Sequence, residues 1–319
     1  MIGVKGAAES GLTLSKPRHE RVNEEQDGQR VDNFLIRHCQ GVPRSHIYQL
    51  IRKGAVLVNG KRIKQTRKLV TGDQVRIPAV ALKPVNAVNV PTRLAELVGS
   101  SVLFENEDFL VVNKPAGVAV HGGSGLAFGL IDALRQHRGD KHLELAHRLD
   151  RATSGCLLIG RGLKSTRQLQ DLFRKRVVQK RYLALVDGYW PSQVTRIDAP
   201  LLKNAEHAGE RRVLVSADGQ SSLTYFAVNR RFAEATLLDV TLDTGRTHQI
   251  RVHAKHAAHA IVGDSRYGNN KRNAFFKKAG LNRLYLHSRS LTFDWQGKTI
   301  HVEAPTDLQW DQSLHSLRT

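Results

Sequence analysis

From Gln29 onward the apolar positions fall into a helical repeat. In RVDNFLIRHC, Val31, Phe34, Leu35 and His38 stand at i, i+3, i+4 and i+7, one face of a helix. Gly41 breaks it. Pro43 suits the first turn of a second helix, in which Ile47, Leu50 and Ile51 share a face. The pattern then changes to alternation in AVLVNGKRI, where Asn59-Gly60 between apolar alternations signals a hairpin. A further turn, Thr71-Gly72-Asp73, precedes QVRIP. Residues 81–100 carry Pro84 and Pro91 and no clear period, which predicts a linker. From Ser101, SVLFENEDFLVVNKP predicts a hairpin that turns over Glu105 to Asp108. LKSTRQLQDLFRKRVV predicts a helix capped by Ser165, with Leu169, Leu172 and Phe173 on one face. RYLALVDG and ATLLDVTLDTG predict strands, and residues 1–19 a flexible tail.

A length of 319 residues suits about two domains, and 40% apolar content supports a packed core. The formal net charge is +20, which points to nucleic acid or another anionic surface as partner. Nearly half of that excess lies between Gln29 and Pro78, where 11 Lys and Arg face 2 Asp. Such a density favours contact with phosphates, which supplies affinity but little sequence choice. Cys39 and Cys156 fall in different predicted domains, and no CxxC motif occurs, so neither a disulfide framework nor a thiolate metal site is expected. The N-terminal residues hold no long apolar run, and no stretch approaches the roughly 20 apolar residues of a membrane helix. A soluble cytoplasmic protein without a membrane partner is expected, acting as a monomer.

Several segments are polar where packing alone would not ask for it: HRLDRATSG from His147, TGRTHQIRVH from Thr244, and the shorter NKPAGVAVHGG and LNRLYLHSRSL. HRLD looks briefly like the catalytic loop of protein kinases, but DFG and a GxGxxG loop are absent. His253, His256 and His259 recur every three residues, whereas paired helical zinc ligands stand at i, i+4, so no metal is expected.

Two family resemblances cover most of the chain. RVDNFL, VPRSHIYQLIRKGAVLVNGKRI and the closing GDQVRIP resemble the S4 RNA-binding domain, assigned to residues 20–80. That likeness implies two helices on a small twisted sheet, with RNA on a basic face; Arg44, Arg52, Lys53, Lys61, Arg62 and Lys64 are the candidate contacts. HRLD followed by TSG, with NKP, KRYLALV and GRTHQIRVH in order, resembles the pseudouridine synthases of the RluA type, assigned to residues 101–319. The order S4, linker, catalytic domain resembles the members that act on large-subunit ribosomal RNA. The implied fold is α+β: a mixed, mainly antiparallel sheet flanked by helices, beside the small S4 domain. The implied chemistry needs no cofactor. Uridine becomes pseudouridine when the bond from N1 to the sugar breaks, the uracil turns, and C5 rejoins the sugar. Asp150 is the implied nucleophile, at C1′ of the sugar or C6 of the base. Such a carboxylate must be ionised, and an arginine within about 4–6 Å favours that form; the family pattern names Arg251. Tyr182 is implied to lie against the target base, Arg148 to occupy the place it vacates on flipping. His147, Arg246, His248 and Gln249 are further candidate substrate contacts, while Leu149 is expected to pack inward. Ala152 departs from the pattern, where an acid is common, and alters local hydrogen bonding rather than the chemistry. Two alternatives stay open on these grounds: a transfer RNA substrate, and a non-catalytic S4-type ribosome-assembly protein.

Overall fold

The computed structural model describes residues 13–39, 41–82, 89–123, 126–207 and 210–317. The chain divides between Asn89 and Val90 into two compact units.

The N-terminal unit contains β1 (Thr13–Leu14), β2 (Arg18–Arg21), α1 (Val31–His38), α2 (Arg44–Arg52), β3 (Leu57–Val58), β4 (Lys61–Arg62), β5 (Gln74–Ile77) and β6 (Ala81–Leu82). Four strands form an antiparallel sheet in the order β2-β5-β3-β4, and β1 pairs with β6. The helical faces read from the sequence are buried: Val31, Phe34 and Leu35 from α1 and Ile47 and Ile51 from α2 meet Val58, Val75 and Ile77 of the sheet. Asn59 and Gly60 have φ of 50° and 75°, the two positive values that a tight hairpin turn needs. The segment expected as a tail holds β1 and β2. β2 reads Arg-His-Glu-Arg, with no apolar residue to show a period; pairing with β5 makes it a strand. Residues 1–12 of that expected tail lie outside the described residues.

The C-terminal unit begins with α3 (Thr92–Gly99), inside the segment expected as linker. Pro91, read as a sign of linker, stands at the helix N-cap; Ala95 and Val98 are buried, and Val98 joins the main core. There follow β7 (Val102–Glu105), β8 (Phe109–Lys114), α4 (Leu130–Arg138), β9 (Leu143–Leu145), β10 (Ser154–Arg161), α5 (Gly162–Arg174), β11 (Gln179–Asp187), β12 (Arg196–Asp198), β13 (Leu201–His207) and β14 (Glu210–Val215). β15 (Leu223–Arg231), β16 (Ala235–Leu242), α6 (Gln249–His256), α7 (Asn270–Lys278), β17 (Leu286–Trp295), β18 (Lys298–Glu303) and α8 (Leu308–Ser316) complete it. α5 starts at Gly162 with Arg161 at its N-cap, four residues earlier than a cap at Ser165 would place it. Ser165 is not its cap; its hydroxyl donates to Asp108 Oδ1 at 2.8 Å from inside the helix.

Ten strands form one sheet, in the order β12-β15-β16-β11-β17-β10-β8-β7, with β18 on β17 and β9 on β10. β10 and β17 run parallel; the other pairs are antiparallel. Helices cover both faces, so central strands are apolar on both sides. On one face Leu110, Val112, Leu157, Ile159 and Ala184 meet Leu134 of α4 and Ile250 of α6. On the other, Val111, Cys156 and Leu158 meet Leu169 of α5, while Leu185 meets Phe276 of α7 and Trp310 of α8. The register draws one row across the sheet: Lys114, Gly155, Ser288, Tyr182 and Val240. Gly155 has φ +106°, and a Cβ there would stand 2.2 Å from the Ser288 carbonyl oxygen, so the glycine of TSG lets β10 and β17 approach. The candidate chemistry gathers beside this row.

Candidate active site

Asp150 lies four residues before β10, in a loop that two hydrogen-bonded segments hold rigid. Lys114, the last residue of β8, is fully buried. Its ammonium donates to the carbonyls of Pro115 and Val118 at 2.8 Å and of Arg151 at 3.0 Å. Three acceptors match the three N–H groups of a protonated lysine. Burial pushes its pKa down to about 7, and the nearby Asp150 charge opposes that shift. Arg151 adds a bond from its Nε to the Gly117 carbonyl, and Gly117 N–H donates back to the Arg151 carbonyl, both at 2.9 Å. Arg151 therefore fastens the NKPAGV loop to the HRLD loop and does not pair with Asp150. Leu149 is buried in the main core, and Ala152 packs against the same core.

The partner of Asp150 comes from a hundred residues away. Gln249 opens α6 and uses its whole amide: Oε1 accepts from Thr244 Oγ1 at 2.8 Å and Arg246 N–H at 2.9 Å, and Nε2 donates to the Leu223 carbonyl and Thr224 Oγ1 at 2.9 Å each. Gln249 is buried and fully satisfied, so it shapes the start of the helix and has no group left for a substrate. Two residues on, Arg251 is buried and carries a forked pair of bonds to Asp264, at 2.7 and 2.9 Å. Its remaining Nη1 donates to Asp150 Oδ2 at 3.1 Å. Burial opposes the Arg251 charge, yet the two carboxylates raise its pKa above the ordinary arginine value. Burial likewise works against Asp264, but Arg251 and the backbone N–H groups of Tyr267 and Arg266 hold it below the usual carboxylate range.

His248 caps α6 with φ +56°. Its Nδ1 lies 2.7 Å from Tyr267 Oη, and its Nε2 3.6 Å from Asp150 Oδ2. Tyr267 Oη accepts Val213 N–H at 3.3 Å. The pattern that satisfies every group has Tyr267 donating to Nδ1, which leaves Nε2–H toward Asp150. Desolvation lowers the His248 pKa, with Asp150 pulling the other way. One oxygen of Asp150 thus faces Arg251 and His248, and the other makes no hydrogen bond among the described residues.

These groups line a cleft of about 410 Å³ together with Arg148, Thr153, Arg174, Arg176, Lys180, Tyr182, Arg246 and Leu286. That is the size range of small-molecule sites. Tyr182 is buried, and desolvation pushes its phenol up to about 12, so it is neutral near pH 7. Arg148 is exposed and unpaired among the described residues. Arg246 bonds the Ser221 carbonyl at 3.3 Å from the rim. His147 also lines the cleft, but its Nε2 accepts Leu158 N–H at 3.0 Å and its ring stacks on Phe173. Desolvation pushes it down to about 3, leaving a neutral ring that anchors the loop to β10. In the LNRLYLHSRSL segment His287 is bonded within the protein, to Ser154 Oγ at 2.9 Å and the Ala304 carbonyl at 3.0 Å. His253, too, is buried between Thr224 Oγ1 and the Ala199 carbonyl. The six candidate cations of the N-terminal unit, Arg44, Arg52, Lys53, Lys61, Arg62 and Lys64, are exposed and have no carboxylate partner among the described residues. Sequence reasoning missed Lys114, Asp264 and Tyr267. Only the segment NKP drew attention to the first, and no local pattern marks the other two.

The chain is similar to known proteins along most of its length. Residues 108–256 match the family model for RNA pseudouridylate synthase, and residues 29–75 that for the S4 domain. The chain is 47% identical over 302 residues to a ribosomal large subunit pseudouridine synthase C of Yersinia pestis, covering 93% of this chain and 94% of that one. It is 46% identical over 304 residues to the protein of that name from Escherichia coli, covering 93% and 95%. Among solved structures, human RNA pseudouridylate synthase domain containing 4 superposes with a TM-score of 0.60 at 26% identity, over 72% of this chain and 97% of that one. By its sequence along nearly its whole length and by the fold of its C-terminal unit, the chain belongs to the RNA pseudouridylate synthase family, as an enzyme that carries an S4 domain ahead of its catalytic domain.

Proposed function

We propose that this enzyme isomerises uridines of large-subunit ribosomal RNA to pseudouridine, with Asp150 as nucleophile. The observation that carries the reading is the pairing of Asp150: Oδ2 is held by Arg251 at 3.1 Å while the other oxygen stays free in the cleft. Arg251 is itself fixed by Asp264, so the guanidinium opposite Asp150 is held in place during the reaction. The free oxygen attacks C1′ of the ribose or C6 of the uracil, the bond from N1 to C1′ breaks, and the turned base rejoins through C5. The C5 hydrogen leaves as a proton, and N1 ends as N–H. Tyr182, neutral at pH 7, lies where it can face the base and take part in that proton transfer. A uracil within paired RNA must leave its stack to reach the cleft, at a cost of about a few kcal/mol. Unpaired Arg148 at the rim is the residue to occupy the vacated place. The exposed cations of the S4 domain supply phosphate contacts that bind without choosing sequence. The protein acts in the cytoplasm, as a monomer and without cofactor.

Large-subunit ribosomal RNA transcribed with uridine tritiated at C5 tests this reading, because isomerisation expels the C5 hydrogen without changing the mass of the base. The intact protein is expected to release tritium, and Asp150→Ala to release none while still binding the RNA. Release by the Asp150→Ala variant overturns the nucleophile. Release from a transfer RNA transcript alone overturns the substrate. Binding without release from either transcript favours the non-catalytic alternative.

A further inference from the structure

Lys180 is the second residue of β11 and stands two positions before Tyr182, so the two side chains leave the same face of the strand. Both line the cleft. Lys180 is only 7% exposed, yet its ammonium has no hydrogen bond and no ion pair among the described residues. The nitrogen itself keeps some contact with solvent in the cleft, so it is a poorly hydrated cation without a counter-charge, open to an incoming anion. The nearest help from the protein is weak: Asp243 lies in its field but is engaged by Arg176 at 3.5 Å. The other charged groups at this end of the cleft are cations. Arg148 is unpaired, Arg176 is half exposed, and Arg174 holds Asp171. The neutral ring of His147 beside it accepts a backbone N–H, so it offers no negative charge. Desolvation lowers the Lys180 pKa, Asp243 partly offsets this, and Arg176 adds to it. The two ends of the cleft therefore differ. At one, Asp150 is balanced by Arg251. At the other, an ammonium on a mostly buried side chain opens to the cleft and lacks an anion.

We propose that Lys180 is a substrate-binding residue whose ammonium, with Arg176 beside it, takes a phosphodiester oxygen flanking the flipped uridine. The inference rests on the proposed function and names how that site holds its RNA. A nucleotide whose base lies against Tyr182 and Asp150 must bring its adjoining phosphate to the cleft wall. An ammonium on the same strand face, two residues away, meets it there. The phosphate restores the missing counter-charge, and Lys180 holds the ribose in place for attack. Arg148, Arg174 and Arg176 form the approach, since like charges at the rim raise the local potential for an anionic strand.

The test compares the intact protein with Lys180→Met, an apolar side chain of similar length that a buried site accepts, and with Lys180→Arg. Thermal melts establish that each variant is folded. The first readout is the Kd for oligouridine over a salt series. Lys180→Met is expected to weaken binding about 10- to 100-fold, the effect of one charge-assisted hydrogen bond. It is also expected to lower the slope of log Kd against log salt by about 0.7, the value for one single-strand phosphate. Lys180→Arg is expected to restore most of both. The second readout uses the ribosomal RNA fragment around a uridine mapped in the tritium assay, with a neutral methylphosphonate at the 5′ or the 3′ side of that uridine. One of the two replacements should weaken binding by the intact protein and leave Lys180→Met unaffected. An unchanged salt slope in Lys180→Met, or equal methylphosphonate losses in both proteins, overturns the inference. Full salt slope combined with lost turnover also overturns it and makes Lys180 a contact to the uracil ring. Failure of the parent reading looks different: it is the absence of tritium release by the intact protein, whereas the fate of Lys180 is read from binding.

Discussion

Arg251 carries one charge and touches two carboxylates. Asp264 takes two of its N–H groups at 2.7 and 2.9 Å and Asp150 takes a third at 3.1 Å. The first pair orients the guanidinium, and the second uses it. Breaking a buried pair by removing one partner costs about 3–5 kcal/mol. Asp264→Asn is therefore expected to lose about that much stability in urea denaturation. Tritium release per folded molecule should also fall at least tenfold, because Arg251 is free to turn away from Asp150. Retained activity per folded molecule would leave Asp264 a purely structural residue. His147 shows the opposite economy, a titratable ring kept neutral. Its folded pKa is pushed down to about 3 from an ordinary 6.5. The unfolded chain then binds the extra proton as pH falls through 6.5, so this contribution is complete above that value and lost on acidification toward 3. Between pH 7 and pH 5 the intact protein should lose roughly 2 kcal/mol from this group. The difference disappears in His147→Gln, and urea denaturation at the two pH values measures it.

At the scale of elements, the site is assembled where a strand end, two loops and a helix start meet. Lys114 at the end of β8 holds the loop before β10 through three carbonyls, and the amide of Gln249 builds the first turn of α6. The parallel pairing of β10 with β17 sets the spacing between them, and Gly155 permits it. Gly155→Ala would place a Cβ 2.2 Å from the Ser288 carbonyl oxygen in a backbone conformation with φ +106°. The combined overlap and strain are expected to destabilise the catalytic unit by about 3 kcal/mol or more. A melting temperature within a degree or two of the parent would show that β17 yields at this point. Among the elements, the long ones were legible. β11 and β16 are apolar on both faces and read as strands without ambiguity, and the Asn59-Gly60 hairpin was set by two residues that accept positive φ. β2 and α3 were not legible. One has no apolar residue and the other directly follows Pro91 in a segment that reads as linker, so each is defined by what it pairs with or packs on.

For the whole molecule, charge is the property that reaches furthest. Nearly half of the net charge of +20 falls between Gln29 and Pro78, within a unit whose six candidate cations are exposed and unpaired among the described residues. Removal of residues 1–89, which ends at the division between the two units, should weaken binding to ribosomal RNA. It should also flatten the salt dependence by about 0.7–0.9 for each phosphate no longer bound. An unchanged slope would place the phosphate-binding surface on the catalytic unit instead. Since Lys180 belongs to that unit, the truncated protein should keep the part of the slope that Lys180→Met removes.

What the sequence by itself determined is whatever depends on neighbours along the chain. The helical faces of α1 and α2, the hairpins, the central strands, the basic stretch from Gln29 to Pro78 and the motif around Asp150 all follow from residue type and spacing over a few positions. What only the tertiary structure decided is which polar residues meet. HRLDRATSG sets Asp150 between Arg148 and Arg151, and local reading leaves both as candidates. In the fold, Arg151 is spent on the Gly117 carbonyl and Arg148 stands free at the rim, while the partner arrives from α6 at position 251. His147 and Gln249 share motifs with these residues and line the same cleft, yet His147 Nε2 and the whole Gln249 amide are bonded within the protein. Lys180 is an ordinary lysine in the sequence; burial without a partner is what distinguishes it. The physical reason is the same throughout. Hydrophobic periodicity is a local consequence of backbone geometry, but hydrogen bonding and charge compensation depend on distances between segments far apart in the chain, and packing sets those.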